Sequence, residues 1–165
     1  MKKSFGDTEE ILQKQRKAEE EFIKILKDFD PENPEESFKK LWVSEKCYKD
    51  HIKTRIEEGV VNDTKDYLEK ILQTLSQYTS VYYAHYSTSW DRIYYDRKRQ
   101  WMVVLTENGR IITSYKIKEP LRETFRKIKK KANLSGQIVK IIKGRHNEEL
   151  KKESERILKN LQRKK

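Results

Sequence analysis

The sequence predicts an α+β fold: N-terminal helices packed on a four-stranded antiparallel sheet, followed by basic C-terminal helices. Three observations predict it. Apolar residues recur at helical spacing from about residue 8 to Ser76. The segment 81–117 then becomes rich in β-branched and aromatic residues, in the runs VYYAHY, RIYYD, WMVVLT and RIITSYKI. From residue 119 the pattern returns to helix and turns strongly basic. Helices segregated against one antiparallel sheet make an α+β domain.

The elements follow in order. Asp7 and Glu10 in DTEE form a possible capping start. Phe22, Ile23, Leu26 and Phe29 give residues 8–28 an apolar helical face. DPENPEE breaks that helix, and Asn33-Pro34 reads as a cap and first-turn proline opening a second, with Phe38, Leu41 and Trp42 turned inward. Tyr48, Ile52 and Ile56 form the buried stripe of a third helix that stops at Gly59. Asp63 caps a fourth, whose apolar face is Tyr67, Leu68, Ile71, Leu72 and Leu75. Four strands follow between about 81 and 117, with DRKRQ as a polar turn and Asn108-Gly109 as a strong hairpin signal. EPLRETFRKIKKKAN is a basic helix, GQIVKIIKG is ambiguous, and the stretch from Asn147 is a charged helix prone to fraying.

Composition narrows the function classes. Cys47 is the only cysteine, so an intramolecular disulfide is excluded, and a cysteine-based zinc site with it. No metal or cofactor is expected. There is no phosphate-binding glycine loop and no nucleophile elbow. No apolar run reaches the length of a membrane span, which points to a cytoplasmic site of action. The net charge of +11 is unevenly spread: residues 1–46 carry −2, residues 47–118 carry +3, and residues 119–165 carry +10. A basic third of a chain suggests a polyanionic partner, nucleic acid first; a solvated helical tail is the plainer alternative.

The candidate chemistry lies on the third helix. Cys47, His51 and Arg55 share one helical stripe, and Lys49 and Lys53 are expected within reach of a phosphate approaching that edge. A histidine among cations can move a proton near neutral pH while Lys and Arg neutralise phosphate charge. Those are the requirements of metal-independent RNA cleavage, in which the ribose 2′-hydroxyl attacks its own phosphodiester. Ordinary surface cations beside a packed histidine are the alternative. On the last strand, alternation puts Thr113 and Tyr115 on one face and Ser114 and Lys116 on the other. A hydroxyl and a ring two residues apart could hold a phosphate oxygen and stack a base; taken alone, the pattern reads better as a plain amphipathic strand. His85, in the first strand, reads as an edge residue, and His146 as an exposed one.

The run YKDHI, Gly59, NDTKDYLEKI, DRIYYD and WMVVLTENGRIITSYKI resembles the colicin D-like catalytic domains of the barnase–EndoU–colicin–RelE ribonuclease superfamily. The resemblance covers roughly residues 47–118. It implies a ribonuclease toxin core there; the helical extension at 1–46 and the basic helical segment at 119–165 fall outside it. It also implies cleavage of tRNA or another structured RNA to a 2′,3′-cyclic phosphate. An acidic immunity or antitoxin protein would be the partner, and delivery into a target cell as part of a larger toxin would fit. By this resemblance His51 is the general acid/base, Lys49 a phosphate-binding lysine, and Thr113 and Tyr115 the hydroxyl and aromatic of the last strand. Asp50 separates Lys49 from His51, where the family has the two adjacent. Lys53, Arg55 and Lys116 are further phosphate or RNA contacts. A non-catalytic nucleic-acid-binding module on the same scaffold, of a phage or mobile element, is the alternative function. An interaction protein whose long helices dock a partner is the third.

Overall fold

The computed structural model describes residues 8–86 and 89–163; the expected cap at Asp7 lies outside them. Four helices come first: α1 (Thr8–Lys27), α2 (Pro34–Lys40), α3 (Glu45–Glu57) and α4 (Thr64–Gln77). The strands β1 (Ser80–His85), β2 (Trp90–Asp96), β3 (Trp101–Thr106) and β4 (Ile111–Lys116) follow. Then come α5 (Leu121–Leu134), β5 (Lys140–Lys143) and α6 (Glu148–Arg163). The architecture is α+β, with a sheet of five strands where four were expected. Its order is β4-β3-β2-β1-β5, and every pairing is antiparallel. The fifth strand comes from the ambiguous GQIVKIIKG stretch and pairs with β1. It therefore makes β1, and His85 with it, internal to the sheet.

Local signals explain most helix ends. The Asp63 carboxylate accepts from the Asp66 N–H at 2.8 Å and starts α4. The Ser44 hydroxyl does the same for α3 through the Cys47 N–H. Pro34 sits at the start of α2, but the Asn33 side chain makes no cap bond there. Gly59, at φ +76°, closes the last turn of α3 in the left-handed conformation glycine favours. Gly109, at φ +75°, turns the β3–β4 hairpin directly beneath α1, where a side chain would run into the Ala18 carbonyl.

The two faces of the sheet are covered differently. Tyr94, Trp101, Val103, Leu105 and Ile111 pack under α1, α2, α4 and α6 in one large core. Ala84, Ile93, Tyr95, Met102 and Val104 face the opposite way, against α5. Helices therefore cover both faces. The apolar face of α4 is buried as expected, from Tyr67 to Leu75. The final helix is no frayed tail: Leu150, Ile157, Leu158 and Leu161 are buried in the large core. That core takes side chains from residues 1–46, 47–118 and 119–165 alike, so those boundaries do not mark separate cores. The stripe on α3 is shallower than expected. Tyr48 is buried and Ile52 half-buried, but Ile56 is 40% exposed, because α3 lies along the sheet edge and not over its face.

Candidate functional site

An edge strand exposes unpaired backbone groups, and here residues N-terminal to the sheet cap those of β4. The Ile111 N–H donates to the Leu41 carbonyl at 2.8 Å, and its carbonyl accepts from the Val43 N–H at 3.0 Å. The Cys47 thiol donates to the Ile112 carbonyl at 3.3 Å, and the Tyr67 hydroxyl to the Ser114 carbonyl at 2.6 Å. Burial pushes the titration of both Cys47 and Tyr67 upward, which keeps them protonated as donors.

These contacts hold the Cys47–His51–Arg55 stripe along β4. His51 Nδ1 lies 2.8 Å from the Cys47 carbonyl. A carbonyl can only accept, so Nδ1 carries the hydrogen and the neutral ring keeps its lone pair on Nε2. Nε2 makes no hydrogen bond to any described residue. The ring lies against Trp42, with centroids 5.3 Å apart. One turn on, Arg55 bonds Glu58 at 2.6 Å and places its guanidinium carbon 5.7 Å from the Tyr115 ring centroid. Its Nε is buried without a partner among the described residues.

The lysines are elsewhere. Residues two apart on a helix are about 200° apart around its axis, so Lys49 and Lys53 project away from His51. Lys49 pairs with Glu45 at 2.8 Å on the outer face, and Asp50 with Lys46 at 2.9 Å. Arg55 is thus the cation that shares His51's stripe. From Thr113 to Lys116 the alternation is as expected, although a bulge opposite Val104 and Leu105 leaves Ile112 and Thr113 on the same side. Ser114 is buried on the helical side, accepting from the Trp101 indole at 2.8 Å and donating to the Met102 carbonyl at 2.7 Å. Thr113 and Tyr115 line a cavity of about 400 Å³ on the α5 side. No hydrogen bond joins the His51 ring to Thr113 among the described residues.

A cavity of about 590 Å³ lies where β4 ends. Lys70 of α4, Lys98 and Arg99 of the β2–β3 turn, and Lys116 and Lys118 line it, with Glu58 as its acid. Asp96 shapes the turn by accepting from the Lys98 and Arg99 N–H groups, and it pairs with the Arg99 guanidinium at 2.7 Å. Lys70 pairs with Asp66 at 3.4 Å. Lys98, Lys116 and Lys118 have no ion pair among the described residues. Lys116 and Lys118 also line a neighbouring groove of about 380 Å³, with Tyr115, Lys127 and Lys131. Tyr115 and Lys131 in turn line the Thr113 cavity. The three depressions therefore adjoin, and together form a basic track around the end of β4. Of its residues only Thr113, Tyr115 and Lys116 were candidates from sequence. The DRKR turn was the available signal for Lys98 and Arg99, and it read only as a polar turn.

Among the described residues no three His, Cys, Asp or Glu side chains are grouped to hold a metal ion, and no helix is long and apolar enough to cross a membrane. No curated protein and no solved structure matches the chain. Residues 32–163 match one family, a span that takes in α2 through α6 and every element of the basic track. The chain belongs to the family described as Uncharacterised protein aq_aa01.

Proposed function

We propose that the chain binds single-stranded nucleic acid, RNA foremost, along the basic track. The observation that carries this reading is the sharing of Lys116, Lys118, Tyr115 and Lys131 between adjoining depressions. A charged groove with an aromatic ring along it suits a phosphate backbone with stacked bases. An acidic immunity or antitoxin protein would cover the same cations by charge complementarity. Fluorescence anisotropy with a single-stranded RNA over a range of salt tests the proposal. Affinity falls steeply with salt, and Lys98, Lys116 and Lys118 changed together to Ala flatten the log–log slope by about 2, at about 0.7 per phosphate contact. Absence of binding at low salt, or an unchanged slope in the triple variant, overturns it.

The second reading, metal-independent cleavage of tRNA or another structured RNA to a 2′,3′-cyclic phosphate, is favoured by the free Nε2 of His51 with Arg55 one turn away. His51 would take the 2′-hydroxyl proton, and Arg55 would offset charge on the phosphate. Incubation with total tRNA in EDTA tests it: wild type cleaves and His51→Ala does not. Binding without cleavage leaves the first reading alone.

A further inference from the structure

We propose that the cavity beneath α5 is a guanine-binding site, in which the Asp91 carboxylate accepts from the ring N1–H and the 2-amino group. The proposal deepens the nucleic-acid reading by naming the base that the track holds. The cavity's floor is apolar, formed by Ile93, Met102 and Val104, and its rim carries Tyr86, Tyr115 and Asp91. At about 400 Å³ it falls within the range of small-ligand pockets. An apolar slot with few polar groups at its rim suits a flat heterocycle, and Tyr115 offers a face for stacking.

Asp91 supplies the selectivity. It is half-buried on β2, yet it accepts no hydrogen bond and makes no ion pair with any described residue. Burial, reinforced by Glu107 from the β3–β4 turn, raises its pKa to about 6, and Tyr86 senses its charge. Lys131 on the α5 wall is the cation of the cavity. Above that pKa Asp91 is an ionised carboxylate, which only accepts. Guanine presents two adjacent donors on its Watson–Crick edge. Adenine and cytosine set a bare ring nitrogen beside their amino group, which repels a carboxylate, and uracil sets carbonyls on both sides of its N–H. A nucleotide seated here would have its phosphates beside Lys131, toward Lys116 and Lys118 of the track.

The test uses the full chain and the four nucleosides, followed by the methyl resonances of Met102 and Ile93. Guanosine shifts both saturably, and the other three bind weaker by about tenfold or more. Asp91→Asn, which keeps the shape but replaces one acceptor by a donor, removes the preference. No shift with guanosine, equal shifts with all four, or a preference surviving in Asp91→Asn overturns the proposal. Salt-dependent RNA binding without a guanosine preference sinks this site and leaves the track. A guanosine preference without RNA binding sinks the track and leaves a nucleoside site.

Discussion

The two faces of the sheet are built from the same strands and come out opposite in character. Toward α1, α2, α4 and α6, Phe22, Leu26, Phe38, Leu72 and Val103 are fully buried. Some polar groups there are paired inward, as Ser114 is with Trp101 and Met102, while Gln15, Trp42, Tyr48 and Ser154 bury polar atoms without a partner among the described residues. Toward α5 the cover is a single helix whose Leu121, Phe125 and Ile128 are only half-buried, and cavities remain along it. Alternation along β4 sorts side chains to one or the other: Ser114 into the closed side, Thr113 and Tyr115 into the open one. The closed face carries the stability, and the open face keeps solvent-reachable polar groups on a rigid support.

The sharpest way to break the closed face is through its buried charge. Arg92 is fully buried and bonds the Glu19 carboxylate and the Gln15 carbonyl, and the Tyr94 hydroxyl donates to the same carboxylate at 2.6 Å. Glu19→Ala strands the guanidinium in the core. We expect a loss of about 3–5 kcal/mol in urea unfolding, most of it recovered when Arg92→Met is added. A loss below about 1 kcal/mol means that the closed face tolerates an unpaired charge and the contrast fails.

On the open face the sign reverses. Asp91 has a folded-state pKa of about 6, above the ordinary carboxylate value, because burial disfavours its charge. The native state then holds the proton more tightly than the unfolded chain. The group costs nothing below about pH 4, and its penalty grows as pH rises to about 6 and is full above that. Asp91→Asn therefore stabilises the protein at neutral pH by up to about 3 kcal/mol, and not at all below about pH 4. Thermal unfolding of both proteins across that window checks it. A gain in stability with a loss of guanosine preference is the trade expected of a residue kept for binding.

What was legible in the sequence was local. The α4 face, its Asp63 cap and the Asn108-Gly109 hairpin rest on spacing and turn chemistry within a few residues. What was not legible needed distant partners. The KIIK strand is short and lysine-flanked, and becomes a strand only by pairing with β1. The last helix looks soluble because its outer face is charged, and its inner face needs α4 to pack on. Asp91 becomes unusual only when α5 crosses to the far side of the sheet. The separation of Lys49 from His51 is a different case, since helix geometry alone predicts it and nearness in sequence conceals it.

That separation yields a prediction that turns on the variant with the smallest effect, Lys49→Ala. The resemblance assigns phosphate binding to Lys49, whereas the structure puts Arg55 on the His51 stripe and pairs Lys49 with Glu45 on the outer face. If the chain cleaves RNA, single-turnover cleavage falls by about 10²–10³ in Arg55→Ala, the range for removing one donor to a developing anion. In Lys49→Ala it changes by less than about twofold, because an exposed pair on the far side of a helix contributes little. Circular dichroism of both variants controls for folding, which matters for Arg55 because its side chain is 12% exposed. A larger defect in Lys49→Ala than in Arg55→Ala would restore the assignment carried by the resemblance. It would also mean that phosphate approaches from the solvent side of α3, away from the track at the end of β4.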